Sequence, residues 1–263
     1  MPCRSARRSE RESGTMSGII LAMETSGDFC STAVLRDGTI LAERAFHHDM
    51  HLSERMMEHI ESVLNDSGTT LDEVESFAAG IGPGSFTGTR IGLMTLKALA
   101  VVKAKPIYGA GSLETMAAEY LGLQDTLIAP ILPCRSGVVY AALFDVSGFS
   151  PIIKMTPCSV RLENLADALA AGSNGSRILL CGTASESCYS ALCKDMPPGT
   201  SLSCGRVMHP RAEMTGFLAH QRRDSGDPGE NADIIAPAYL APPPITLPKN
   251  AVMEKEKAVE NNV

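Results

Sequence analysis

The chain has 263 residues, 44% of them hydrophobic, and a formal net charge of −7. That is enough apolar material for one large domain or two small ones with real cores. The acidic balance excludes a broad face that grips nucleic acid unaided, and no apolar run reaches the ~20 residues of a membrane-spanning helix. Residues 1–15, MPCRSARRSERESGT, mix charges and lack an apolar face, with Glu10 and Glu12 arguing against a transit peptide. They read as a disordered leader or an over-called start, with Met16 as the first residue. The eight cysteines form no CxxC pair, which fits buried free thiols in a reducing, cytoplasmic setting.

The elements follow in order. Gly18–Met23 is an apolar run of strand length, Glu24-Thr25-Ser26-Gly27-Asp28 a polar turn, and Cys30–Leu35 an alternating strand. Asp37-Gly38 before Thr39–Glu43 signals a hairpin. His51–Leu64 carries Leu52, Met56, Ile60, Val63 and Leu64 on one helical face, and Asn65–Gly68 stops it. A short apolar run, Ser76–Ala79, then enters Gly80-Ile81-Gly82-Pro83-Gly84-Ser85-Phe86-Thr87-Gly88-Thr89-Arg90-Ile91-Gly92. The order reads as strand, Gly-rich turn, helix. Such a turn holds an anion at the helix start, lets another chain approach closely, or is simply tight. The helix Thr87–Val102 is apolar on nearly every side, so it is buried all round or has a partner on its outer face.

Past Lys103–Pro106 come a brief strand at 106–109, a helix opened by Gly111-Ser112-Leu113-Glu114 with Ser112 as its cap, and strands at 126–132, 137–145 and 151–155. Helices follow at 161–171 and 184–192, a strand at 177–181, and a last helix at 209–222. This is a bilobal α/β chain. The first lobe is taken as 16–105, completed by the helix near 209–222. A smaller second lobe spans 106–208, and a polar, Pro-rich tail, largely disordered, spans 224–263.

Three blocks then come together. Ile20-Leu21-Ala22-Met23-Glu24-Thr25-Ser26, the Gly80–Leu93 stretch with Lys97-Ala98-Leu99-Ala100, and Gly111-Ser112-Leu113-Glu114 occur in one order and spacing that resembles the bacterial TsaB (YeaZ) family. The resemblance covers Gly18–Ala118 well and continues weakly through Val139–Ala142 and Pro237–Leu240. It implies an actin/hexokinase/Hsp70-like fold of two ribonuclease-H-like lobes, mixed sheets flanked by helices. It also implies a non-catalytic subunit of a tRNA threonylcarbamoyl transferase complex, with a TsaD-type catalytic subunit and a TsaE-type ATPase as partners. Contact with tRNA would be indirect, and the chain alone would form a homodimer through first-lobe helices. No cofactor is expected to bind tightly; ATP or ADP would sit at the interface with the TsaD-type protein. Three departures stand out: Glu24 where actin-fold ATPases carry Asp, Pro133–Gly137 in place of an Asp-Ala-Arg-rich turn, and one extra residue in His51-Leu52-Ser53-Glu54.

For phosphate, the candidates are Glu24, Thr25, Ser26, Gly82, Gly84, Ser85 and Arg90. The first three could equally be an inherited turn, and Arg90 an internal clamp. For a partner face, the candidates are Leu52, Met56, Met57, Ile60, Met94, Lys97 and Val101, against ordinary core packing. No metal site is expected. The resemblance places a His-x-x-x-His pair of the catalytic relatives where this chain reads Tyr108–Glu114, without histidine. His47 and His51 have that spacing, but a solvated helix start is the preferred reading. Two enzyme readings stay open beside the subunit: an actin-fold ATPase or kinase, and a glycoprotease-like metallopeptidase.

Overall fold

The computed structural model describes residues 18–47, 52–203 and 209–241. The leader, His48, Met50, His51 and the last 22 residues lie outside them. The chain opens with β1 (Ile19–Glu24), β2 (Phe29–Arg36) and β3 (Thr39–His47), paired antiparallel in sequence. Asp37 and Gly38 both take positive φ, which closes the two-residue hairpin. Next come α1 (Leu52–Ser67), β4 (Val74–Gly80), α2 (Phe86–Lys103) and β5 (Ile107–Ala110), the two strands running parallel to β1. The sheet order is β3-β2-β1-β4-β5.

β1 is buried along its whole length because both faces are covered. Leu21 and Met23 pack with Met56, Ile60, Leu93 and Leu96 of α1 and α2. Ile20 and Ala22 pack with Ala212 and Ala219 of α6 (Ala212–Asp224) on the other side. Alternating side chains thus feed two cores, which is why the strand reads as an unbroken apolar run.

The plan then repeats. After α3 (Ser112–Ala118) come β6 (Thr126–Arg135), β7 (Val138–Asp145), β8 (Ile152–Arg161), α4 (Leu165–Ser173), β9 (Arg177–Cys181), α5 (Ser185–Leu192) and β10 (Thr200–Leu202). The second sheet has the order β10-β9-β6-β7-β8. Three antiparallel strands joined to two parallel ones, in the same spatial order twice, are the two mixed five-stranded sheets of the actin/hexokinase-like fold.

Several expectations are corrected. The first sheet runs past residue 105, because β5 pairs with β4 and not with the second sheet. Helix α3 is capped by Gly111 without a side-chain bond; the Ser112 hydroxyl goes elsewhere, as described below. β8 is twice the expected length, the following helix starts at Leu165, and β10 was not foreseen. Residues 225–241 do not belong with a disordered tail. Glu230 bonds Ile107, and Ala238 bonds Ile81, through backbone. Arg222 ties this stretch down by pairing with Asp227 (2.7 Å) and Glu230 (3.0 Å). Among the described cysteines all are free, and Cys193 is exposed while Cys30, Cys181 and Cys188 are buried.

At the start of α6, Arg211 bridges Glu43 of β3 and Glu213, the latter at 2.9 Å. Burial, then the Glu43 charge, pushes the Glu213 carboxyl up to about 7. Its ordinary value in the unfolded chain is ~4.3. The folded state therefore holds this proton more tightly, and the stability it gives is present at acid pH and lost as pH rises through ~7. Glu213→Gln should gain on the wild type by on the order of 1–2 kcal/mol between pH 5 and pH 8, after discounting for solvent screening. Urea unfolding at both pH values measures this; an unchanged difference would contradict it.

Candidate functional site

Two loops meet at the carboxyl ends of β1 and β4. The first is Glu24–Asp28. The second is the Gly-rich turn Ile81–Ser85, in which Gly82 has φ +89° and the Gly82–Pro83 peptide is cis. Left-handed φ at Gly82 is open to glycine at no steric cost. Ser85 then caps α2, its Oγ accepting from Gly88 N at 3.1 Å.

The two loops dock on each other. Ser85 N donates to the Ser26 carbonyl at 2.6 Å. The Thr25 hydroxyl donates to the Gly88 carbonyl at 2.7 Å. A methyl group added at Gly84 or Gly88 would overlap the carbonyl oxygen of Ser26 or Thr25. These glycines therefore admit the neighbouring backbone of the same lobe, and one of the amides at the helix start is already used.

Glu24 is fully buried. One carboxylate oxygen accepts from Ser26 N at 2.7 Å, and the other has no hydrogen-bond partner among the described residues. Burial pushes the carboxyl above its ordinary range, while the Ser26 hydroxyl and amide oppose that shift. The same burial, with the Glu24 charge added, pushes the Cys30 thiol up to about 12. The Ser26 hydroxyl pairs with the Ser112 hydroxyl at 2.7 Å, which ties the β1 loop to the start of α3.

Above this junction lies a cleft of about 360 Å³ between the lobes, within the size range of small-molecule sites. Ser26, Gly82, Gly84 and Ser85 line it, joined by Asp28 and His209. The second lobe supplies Leu132–Cys134, Tyr140 and Thr183, and the C-terminal segment adds Pro237, Ala238 and Tyr239. Burial holds the His209 imidazole below its ordinary range, against the opposing charge of Asp28.

Of the phosphate candidates, then, four line the cleft. Glu24 and Thr25 turn into the lobe instead. Arg90 lies on the outer surface, donating to Tyr239 Oη at 2.6 Å with its guanidinium 3.9 Å from the centre of the Phe86 ring. Leu132, Thr183 and His209 were missed because nothing local marks them, while Pro133–Cys134 and Tyr140 lie in stretches set against the family pattern without being singled out for a site. Tyr239 had one signal, the Pro237–Leu240 match to the family pattern.

The partner-face candidates divide as well. Leu52, Met56 and Ile60 belong to the core and are not available to a partner. Met57, Met94 and Val101 are exposed by 46%, 47% and 59%, and Val102, not foreseen, by 77%. Lys97 is engaged internally, its Nζ donating to the Ile235 carbonyl at 2.9 Å. His47 ends β3 edge-on to Phe29, with ring centres 5.4 Å apart, so the helical spacing argument for a histidine pair does not apply to it. Among the described residues no three His, Cys, Asp or Glu side chains group to hold a metal, and no helix is long and apolar enough to cross a membrane.

Comparison with known proteins agrees with this architecture. Residues 39–174 match the family model described as TsaD: tRNA N6-adenosine threonylcarbamoyltransferase. The tRNA threonylcarbamoyladenosine biosynthesis protein TsaB of Bacillus subtilis is 38% identical over 48% of this chain and 55% of its own length. TsaB of Escherichia coli is 36% identical over 48% of this chain and 54% of its own. The matched part of the chain thus spans about half the length of these curated relatives. The solved structure of YeaZ from Pseudomonas aeruginosa superposes with a TM-score of 0.69 at 25% identity, covering 85% of this chain and all of that one. With the Gly-rich turn, the doubled sheet and these matches in hand, the chain belongs to the TsaB (YeaZ) family, within the wider TsaD family.

Proposed function

We propose that this chain is a non-catalytic cytoplasmic subunit that docks onto a TsaD-type catalytic protein. Together with a TsaE-type ATPase, the complex would transfer a threonylcarbamoyl group to the tRNA adenosine beside the anticodon. The observation that carries the reading is the outer face of α2. Met94, Val101 and Val102 stand exposed on a helix whose other side is core, and apolar surface of that kind favours a protein partner over water. When no partner is present, a second copy of the chain would cover the same face. Adenine nucleotide would act at the junction with the catalytic protein, and tRNA would be met through the complex.

The docked loops support a supporting role over a stand-alone ATPase or kinase, since the Ser85 amide is spent on Ser26 and the Glu24 carboxylate points inward. The grouping of side chains among the described residues gives a metallopeptidase no ligand set. Mixing the recombinant chain with the TsaD-type protein of the same organism should give a co-eluting complex at micromolar concentration. Adding the chain to a reconstituted reaction should raise modification of tRNA. Failure to form a complex, with or without nucleotide, would overturn the proposal.

A further inference from the structure

Residues 235–241 cross from one lobe to the other over the cleft. Ile235 is buried in the first-lobe core, and its carbonyl accepts from Lys97. Ala238 N donates to the carbonyl of Ile81, the first residue of the Gly-rich turn, at 2.7 Å. Up to this point the segment is anchored in the first lobe. Beyond it the attachment changes character. Tyr239 is half exposed and rests against Phe86, ring centres 5.2 Å apart, with its hydroxyl held by Arg90. The Leu240 carbonyl accepts from the Ser159 hydroxyl of β8, in the second lobe, at 3.0 Å. The inner side of the same stretch lines the cleft.

We infer that residues 235–241 form a strap that closes the interlobe cleft, hinged at Ile235–Ala238 and latched by Arg90 on Tyr239. The division follows from what each end costs to release. The hinge is held by a buried core side chain, Ile235, by the Lys97 bond to its carbonyl and by the backbone bond from Ala238 to Ile81. The tip is held by a surface hydrogen bond to a charged group, a ring contact and one hydroxyl bond, all of which water replaces at small cost. Opening therefore swings Tyr239–Ala241 away and leaves the two lobes folded. This inference goes beyond the docking proposal and does not depend on it.

Cys134 lines the cleft and is half-buried, whereas Cys193 is exposed on the second lobe and serves as an internal reference. The test is alkylation of the intact chain with N-ethylmaleimide, read peptide by peptide in a mass spectrometer. Arg90→Ala and Tyr239→Ala should raise the rate at Cys134 relative to Cys193 by about fivefold, the shift that loss of one such bond gives. Tyr239→Phe, which keeps the ring, should raise it less. Cys30 lies in the first-lobe core and reports global unfolding if it labels. Should a first-lobe variant label Cys30, Ser159→Ala, which frees only the far end of the strap, becomes the deciding variant and should also raise the Cys134 rate. An unchanged Cys134 to Cys193 ratio in folded variants would overturn the strap.

Discussion

Gly88→Ala is expected to destabilise the chain by about 3 kcal/mol, even though alanine is the better helix former. Gly88 is the third residue of α2. Propensity alone favours alanine inside a helix by ~1 kcal/mol. Against this, the new methyl group would overlap the Thr25 carbonyl oxygen, a backbone atom with no rotamer to escape into. Forcing apart a packed contact of this kind costs roughly 1–3 kcal/mol. The shift would also break the buried bond from the Thr25 hydroxyl to the Gly88 carbonyl, leaving polar atoms orphaned at a further cost of ~1–3 kcal/mol. The sum outweighs propensity. Gly148, with no described residue within reach of an added methyl group and no left-handed φ, provides the control; Gly148→Ala should stay within ~0.5 kcal/mol of wild type. Urea unfolding of the two variants decides it. A Gly88→Ala variant as stable as wild type would mean that the two loops do not meet as described.

This contact also marks how far the sequence could be read. Gly content and position announced a strand, a turn and a helix, and all three are present at Val74–Gly80, Ile81–Ser85 and Phe86–Lys103. What composition cannot say is which backbone the glycines admit. Thr25 lies 63 residues from Gly88, and only the folded sheet brings them together. The same limit explains the cleft. Ser26, Gly82, Gly84 and Ser85 sit on loops that a local pattern marks, whereas Leu132, Thr183 and His209 reach the cleft by topology alone. An apolar run, an alternating run and the Asp37-Gly38 turn were sufficient for the first three strands, because their spacing is local. Periodicity placed Leu52, Met56 and Ile60 on one face of α1 but could not tell that face from a docking surface. Apolar side chains repeat every three or four residues whether they meet the core of their own lobe or another protein. Burial separates the two cases, and it puts these three inside.

That separation gives the largest effect on binding. The double variant Met94→Glu with Val101→Glu should weaken the proposed complex with the TsaD-type protein by at least 100-fold, while leaving unfolding almost unchanged. Both side chains are about half exposed or more, so in the free chain a carboxylate at either position keeps its water. In a docked state each would be desolvated against apolar surface. Central interface positions cost ~2 kcal/mol or more apiece when disrupted, and every 1.4 kcal/mol is tenfold in affinity. Two such positions total ~4 kcal/mol, which still gives over 100-fold if a quarter of the effect is lost to repacking. Met56→Ala is the opposite case. It opens a cavity under α1 and should cost ~2–5 kcal/mol of stability, with binding affected only in proportion to the folded fraction. Titration calorimetry or analytical ultracentrifugation of each variant with the catalytic protein, beside urea unfolding of each alone, separates the two. The docking face on α2 requires that binding and stability respond to different residues. Equal affinity for wild type and the double variant would place the partner elsewhere on the molecule.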